Sequence, residues 1–555
     1  LAAIEERPYR LMLGAHDVYW LRLSPVNEAH ASNQDVLETL PFNRLRLPLS
    51  GYDAARLAKG LQPYIAGQRW FGDRHRRITE TSLVDAVEID TSASGSPSWG
   101  VVVRMEFAEG ESVHYVAVLR HDEVSAPDGR VKGEWRDAGT DPSFAAELTR
   151  LVARAGSVTG SKGSLRGRPA HRIRLDTGTF ETRPIGAEQS NSSHVVGDRW
   201  VLKILRRVDP GPHPEVELLS HLNSVGFAHA PRLAGTVEYA PQGGGMATTL
   251  ATLVEYVQGG SDAFQTVTNQ ASRFLEWAAT RTDFDNAALI APGPLDTLTM
   301  PDWMAPEMGE ALELAGKLGA RTGELHLALA ASAAPRMRPL QFDAHARRSM
   351  YQAMRSEIRA TINALRTAEV RDAMQQVMTP AEAAHIGRAA IERASQLLIG
   401  RIDGRRIRIH GDLHLGQILL RGGDVTFIDF EGEPARPLGE RSIKRSPMVD
   451  VAGMIRSFDY AANAAVDIAA ERGVGDTDRL HQWASAFGDW SSQRFTAAYL
   501  SVIADSGLVP SDPAHLRMVL DVAVIQKAAY EVRYEIGHRI ARVGVPLRAL
   551  QRLVD

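Results

Sequence analysis

The sequence predicts an α+β protein of two lobes, a small sheet lobe followed by a mainly helical one. An additional α+β module precedes them, behind a short β remnant. Three observations predict this. Short alternating apolar segments separated by turns fill residues 181–258, with one helical stretch among them. After Gly259-Gly260 the apolar periodicity becomes helical almost to the end of the chain. Within that helical half one strand pair, at about 407–430, carries a His, an Asp, an amide and a second Asp in its connections.

A chain of 555 residues is too long for a single core, so about three or four units are expected. With 44% hydrophobic and 23% charged residues it has ordinary globular composition. A formal charge of -4 gives no field directed at nucleic acid or a membrane surface, and neither is expected as a partner. The absence of cysteine excludes disulfides and thiolate metal sites. No apolar run approaches the roughly 20 residues of a membrane span and no leader is visible, so a cytoplasmic location is expected. Leu1 in place of an initiator methionine fits a fragment of a longer chain.

The first unit, 1–48, holds two strand-like pieces at 9–13 and 18–23 that must pair with a larger sheet. The second, 49–180, opens with a helical signal at 54–65 and Gln68-Arg69-Trp70-Phe71-Gly72, then alternates at 81–89, 99–107 and 114–119. The third, 181–258, reads as strands at 179–185, 194–196, 199–205, 236–239 and 248–256, with a helix at 214–223. The fourth, 259–555, has amphipathic helices at 306–330, 344–367, 380–399, 480–504 and 514–538.

The chemistry concentrates in Ile407-Arg408-Ile409-His410-Gly411-Asp412-Leu413-His414-Leu415-Gly416-Gln417 and in Val425-Thr426-Phe427-Ile428-Asp429-Phe430-Glu431-Gly432. A carboxylate just past a strand, an amide five residues later and a carboxylate ending the next strand form the layout of an ATP-dependent phosphoryl-transfer loop. Asp412 is placed to accept a hydroxyl proton, and Gln417 and Asp429 offer hard oxygens to magnesium. The Gln417 stem is one methylene longer than the usual asparagine. Glu431 could add a carboxylate.

Lys203 interrupts the apolar strand Trp200-Val201-Leu202-Lys203-Ile204-Leu205 and is expected to anchor phosphates, paired with Glu217 or, failing that, Glu215. The loop 186–193, with Ser190, Asn191 and Ser192, could cover those phosphates, although a plain hairpin explains it equally. No Walker A motif occurs. Asp450 opens a helix at 451–460 and could cap it or brace the catalytic loop, as could His410. Lys527, Tyr530, Glu531 and Tyr534 share one helical face able to hydrogen-bond and stack on an acceptor. Glu433, Arg436 and His414 are further acceptor candidates, and His326 reads as a satisfied helix residue.

Taken together these segments, with Glu188-Gln189-Ser190-Asn191-Ser192-Ser193, Glu433-Pro434-Ala435-Arg436-Pro437-Leu438 and Ser457-Phe458-Asp459-Tyr460-Ala461-Ala462, resemble the maltokinases. These belong to the aminoglycoside-phosphotransferase-like branch of the kinase superfamily, whose bilobal protein-kinase-like fold is thereby expected. The resemblance implies transfer of the γ-phosphate of ATP, with Mg2+, to the anomeric hydroxyl of maltose, for α-glucan synthesis. It also implies Asp412 as base, Gln417 and Asp429 as metal ligands and Lys203 as phosphate anchor. A related branch phosphorylates glucosamine and typically reads Asp-Phe-Asp-Gly-Asn-Pro, where this chain has Asp429-Phe430-Glu431-Gly432-Glu433-Pro434. Residues 7–23 are similar to the final strands of trehalose synthase, which suggests the kinase part of a fusion and a trehalose synthase partner. Two alternatives stand beside maltose phosphorylation: a kinase for glucosamine or another amino sugar, and a regulatory pseudokinase, against which the retained Lys203, Asp412, Gln417 and Asp429 speak.

Overall fold

The computed structural model describes residues 37, 40, 45 and 47–554, other than 75, 90–96, 109, 126–130, 172, 177, 179, 187–189, 282–291, 368–369, 371–377 and 435. The strands expected at 9–13 and 18–23, the trehalose-synthase-like segment and most of the 1–48 unit lie outside those residues, as do Glu188 and Gln189.

The leading module begins with helix α1 (Gly51–Gly67), whose N-cap Ser50 accepts a hydrogen bond from the Asp53 amide. An antiparallel sheet follows, formed by β1 (Ile78–Ile89), β2 (Ser98–Phe107), β3 (Val113–Ser125) and β4 (Val131–Asp137). The run Trp99 to Val103 is apolar throughout because the sheet is covered on both sides. Trp99, Val101 and Val103 pack with Leu57, Leu61 and Ile65 of α1, while Val102, Val116 and Val118 join a second core. That second core takes in Phe144 and Leu148 of α2 (Pro142–Ala153).

The sheet lobe has seven strands: β5 (Ser157–Thr159), β6 (Gly163–Pro169), β7 (Thr182–Pro184), β8 (Asn191–Val196), β9 (Trp200–Leu205), then β11 (Leu233–Pro241) and β12 (Thr248–Glu255). Between them β10 (Arg207–Val208) departs to pair with β3, which ties the lobe to the leading module. Helix α3 (Pro214–Ser224) lies between β10 and β11. Strands β5 and β6 come from the stretch read with the 49–180 module, yet they complete this sheet at one edge. Their sequence has little apolar alternation, because the edge position leaves most of their side chains partly or fully exposed.

The helical lobe contains α4 (Ala263–Ala279), α5 (Ala305–Ala330), α6 (Ala344–Leu365), α7 (Pro380–Ser395), α8 (Met448–Glu471), α9 (Thr477–Ile503), α10 (Pro513–His538) and α11 (Gly544–Val554). The helix expected at 451–460 continues to Glu471, and its length is buried on nearly every side by small residues such as Ala452, Ala461, Ala462 and Ala465. Short strands β13 (Ser261–Asp262), β16 (Ile418–Arg421) and β17 (Asp424–Phe427) form a small sheet, and β14 (Leu340–Gln341) pairs with β15 (Arg405–Arg406). Gly422 and Gly423 connect β16 to β17 with φ of 58° and 79°, the conformation a two-residue hairpin of this twist demands. Among the described residues no helix is long and apolar enough to cross a membrane.

Candidate active site

The site forms where β9 of the sheet lobe faces the loops around the β16–β17 hairpin. Along β9 the side chains of Trp200, Leu202 and Ile204 enter the core shared with the leading module, so the alternating Lys203 points to the other face. Its ammonium lies 2.7 Å from Asp429 Oδ1, 3.1 Å from Glu215 Oε1 and 3.5 Å from Glu431 Oε1. Burial alone would lower the Lys203 pKa, but Asp429, Glu215 and Glu431 outweigh it and hold the ammonium well above its ordinary value.

The helical partner of Lys203 is Glu215, not Glu217. Both stand in the first turn of α3, but two helical residues are about 200° apart around the axis and cannot face the same way. Glu215 is buried and its second oxygen accepts from the Thr252 hydroxyl at 2.9 Å. Glu217 instead binds the guanidinium groups of Arg336 and Arg408.

Asp429 adopts φ of 63°, a left-handed conformation that costs a non-glycine residue energy and turns the carboxylate into the cleft. Its Oδ2 accepts from Gln417 Nε2 at 3.0 Å, and its side chain remains about one-third exposed at 34%. Burial would raise its pKa, yet the Lys203 ammonium prevails and keeps it below the ordinary carboxylate value. Glu431 behaves oppositely: burial first, then Asp429 and Glu215, push its carboxyl up to about 8 against the opposing pull of Lys203. Asn191, at the start of β8, donates to Glu431 at 3.0 Å and so joins the sheet lobe to the hairpin end. Ser190 is exposed, whereas Ser192 is buried and accepts from Arg206 at 2.8 and 3.0 Å. The expected phosphate role of Ser192 is therefore corrected: its strand parity turns it inward to a guanidinium.

The carboxylates of Glu215, Asp429 and Glu431 lie within 4.8 Å of one another around a single ammonium. Three acidic groups against one cation, one of them driven toward protonation, is a donor set that fits a divalent cation. Asp429 and Gln417 would hold magnesium, once the Gln417 amide rotates to offer its oxygen.

Asp412 sits on the preceding loop, which Asp450 holds from below. The Asp450 carboxylate accepts from the backbone amides of His410 at 2.8 Å and Gly411 at 2.9 Å, and from His326 Nε2 at 3.1 Å. With Nε2–H donated to Asp450, His326 Nδ1 accepts from the Tyr499 hydroxyl at 2.9 Å. His326, which the sequence presents as an ordinary helix residue, is thus part of the brace. Burial raises the Asp450 pKa, but the bonds from His326 and Gly411 overcome this and hold it low. His410 donates from Nε2 to the Ile428 carbonyl at 2.9 Å, locking the two catalytic segments together. Gly453 of α8 lets that helix pass directly beneath the loop, since a Cβ there would stand 2.3 Å from the Leu413 carbonyl oxygen.

The acceptor side is lined by Asp412, Glu433, Arg436, Lys527 and Tyr530, together with Glu357, Arg445 and Gln526, which sequence reasoning missed. Lys527 Nζ stands 3.4 Å from Asp412 and 3.6 Å from Glu433, and Tyr530 donates to Glu433 at 2.6 Å. The free space is about 50 Å³, against roughly 300–1,000 Å³ for ligand pockets, so this side is drawn closed by those contacts. His414 Nδ1 accepts from the Gly416 amide at 3.1 Å, and its other nitrogen lies 4.0 Å from Asp412. Burial holds the His414 pKa below its ordinary value, against the opposing charges of Asp412 and Asp429.

Two expected acceptor residues are placed elsewhere. Glu531 is buried and binds Arg456 at 2.7 Å, because one residue beyond Tyr530 the helix has turned about 100° away from the cavity. Tyr534 is 40% exposed, stacks on His538 at 4.4 Å and lies outside the cavity lining, one helical turn beyond Tyr530.

Comparison with known proteins bears on the family and the fold. Residues 181–484, more than half of the chain, match the phosphotransferase enzyme family (APH). A glucosamine kinase of Mycolicibacterium smegmatis (strain ATCC 700084 / mc(2)155) is 27% identical over 447 residues, covering 78% of this chain and 94% of that protein. A glucosamine kinase of Streptacidiphilus jiangxiensis is 27% identical over 288 residues, 51% of this chain and 55% of the relative. The solved structure of a glucosamine kinase in complex with glucosamine, ADP and inorganic phosphate superposes with a TM-score of 0.56 at 21% identity, covering 90% of this chain and 99% of that one. That likeness is one of fold, and it is the two-lobed kinase-like fold expected from sequence. With a sheet lobe bearing Lys203, a helical lobe bearing Asp412, Gln417 and Asp429, and the matched span running through both, the chain belongs to the phosphotransferase enzyme family.

Proposed function

We propose that the protein is an ATP- and magnesium-dependent sugar kinase. The observation that carries this reading is the direct contact of Lys203 with Asp429 across the two lobes, beside a loop on which Asp450 fixes Asp412. Asp412 accepts the proton of the acceptor hydroxyl and orients its oxygen toward the terminal phosphorus. Lys203, held charged by its carboxylates, transfers its hydrogen bonds to phosphate oxygens when nucleotide enters. Asp429 and Gln417 would hold magnesium, which would supply charge neutralisation at those oxygens. Lys527 must release Asp412 as the acceptor arrives, because the closed cavity has no room for a sugar.

Glucosamine is the acceptor we favour. Two relatives are glucosamine kinases, one matched over nearly its whole length, and Asp412, Glu433 and Glu357 present carboxylates to the acceptor cavity. A second reading, phosphorylation of maltose at its anomeric hydroxyl, rests on Glu431 and Glu433 in place of the Asp and Asn typical of the glucosamine branch. Lys527 also occupies the space between Asp412 and Glu433, where it repels an acceptor ammonium but donates to a neutral sugar. ADP release measured in parallel with glucosamine, maltose and glucose tests this. The favoured reading expects kcat/KM for glucosamine at least about tenfold above the others. The reverse order selects maltose, and no sugar-dependent ADP release with any acceptor refutes the sugar kinase.

A further inference from the structure

A cavity of about 700 Å³ opens where the leading module, the start of α3 and the segment 437–444 meet. It shares no lining residue with the acceptor cavity, and Lys203, Asp412, Gln417 and Asp429 are absent from its wall. Its volume lies in the range of about 300–1,000 Å³ usual for small-molecule sites. Five cations, Arg207, Arg336, Arg406, Arg408 and Lys444, line it against two carboxylates.

Two of those cations carry a buried N–H without an acceptor among the described residues. Arg408 is buried with its side chain only 2% exposed, and while Nη1 donates to Glu217 at 2.8 Å, the buried Nη2 has no hydrogen-bond partner. The buried Nε of Arg207 is likewise unpartnered, and the nearest carboxylate to its Nη1, that of Asp73, is 3.8 Å away. Leaving such groups unmet is costly, and an anionic ligand would satisfy them. Lys444 on the same wall is held below its ordinary pKa by burial and then by Arg338, Arg408 and Arg406. The chain approaches α3 through Pro210, Gly211 and Pro212 on the same wall.

We propose that this cavity binds a small phosphorylated compound, its phosphate dianion lodged between Arg408 and Arg207 and flanked by Arg406 and Lys444. Guanidinium groups suit the planar, multidentate recognition of phosphate oxygens, and two of those on this wall carry unmet donors. The inference does not depend on which acceptor the active site takes. The site also touches the machinery indirectly, since Arg408 lies two residues before His410 and its partner Glu217 shares α3 with Glu215.

The test is calorimetric titration of inorganic phosphate and of glucose 6-phosphate into the full chain with the active site saturated by ADP and magnesium. Expected is one binding event, weakened on the order of tenfold or more by Arg406→Glu and by Lys444→Glu and unmoved by Lys527→Ala. Equal affinity for both titrants identifies free phosphate as the ligand, and preference for the ester shows that the sugar contributes; either upholds the site. No binding, or binding weakened by Lys527→Ala and not by Lys444→Glu, overturns it. In the unaltered protein, the same ligand should slow amide hydrogen exchange in 207–212 and 437–444, and unchanged exchange there overturns the proposal even if the variants fail to fold.

Discussion

Replacing Asp450 by Asn perturbs the catalytic loop without changing the shape of the side chain beneath it. Asp450 offers two oxygens to two backbone amides, those of His410 and Gly411, and receives His326 as well. An asparagine has one oxygen, so one of the amides meets an NH2 group instead. One charge-assisted bond is lost, worth about 1.5–3 kcal/mol, and one buried N–H is left unmet at about 1–3 kcal/mol, so about 2.5–6 kcal/mol of destabilisation is expected. Because Asp412 follows Gly411 directly, the released loop also misplaces the base, and a displacement on the order of 1 Å costs about 10²-fold in kcat. Urea denaturation and ADP-release kinetics measure the two effects, with the KM for ATP changed less than kcat because Lys203 is held by Glu215 and Asp429 rather than by the Asp450 brace. Stability within about 0.5 kcal/mol of wild type together with kcat within twofold would refute the reasoning.

The helical partner of Lys203 is separable by mutation: Glu215→Gln should lower kcat/KM for ATP by on the order of tenfold, because one of the carboxylates fixing the ammonium is lost, whereas Glu217→Gln should act mainly on stability. Equal kinetic effects of the two changes would show that the assignment to Glu215 is wrong. Glu431 has a folded pKa near 8, above its unfolded value, so its stabilising contribution is full below about pH 4.5 and is lost as pH rises through about 8. Glu431→Gln should therefore gain stability relative to wild type between pH 6 and pH 9, read as a diverging difference in urea midpoints; a constant difference would contradict the buried, protonated state. Gly453→Ala should destabilise by about 1–3 kcal/mol and reduce turnover, since the added methyl meets the Leu413 carbonyl. Wild-type melting and kcat in that variant would show that the loop has slack.

Much of the site was legible because its residues sit at fixed offsets around two short strands. His410, Asp412, Gln417 and Asp429 are read from spacing alone, and Lys203 from its placement in an apolar strand; in the structure Lys203 and Gln417 both contact Asp429, and His410 bonds the neighbouring Ile428 carbonyl. The errors arise where side-chain direction decides. Glu215 and Glu217 are indistinguishable in composition, and only the phase of α3 selects between them. Glu531 was grouped with Lys527 and Tyr530 by helical spacing, but it falls on the flank that faces Arg456. The alternation of β8 turns Ser192 inward, a parity that the start of a strand in a hydroxyl-rich loop does not reveal. His326 and Glu357 are remote in sequence from the motifs they serve, so no local pattern marks them. The edge strands β5 and β6 carry too few apolar side chains for periodicity to register.

Product analysis tests the central claim most directly. The protein would be incubated with ATP, magnesium and glucosamine or maltose and followed by phosphorus and proton NMR, alongside Asp412→Asn. The account expects a sugar phosphate ester to accumulate in step with ADP, and ester formation to slow by on the order of 10²-fold or more in the variant. Ester formation at an unchanged rate in Asp412→Asn, or ADP accumulating with free phosphate and no ester from any sugar, would contradict it.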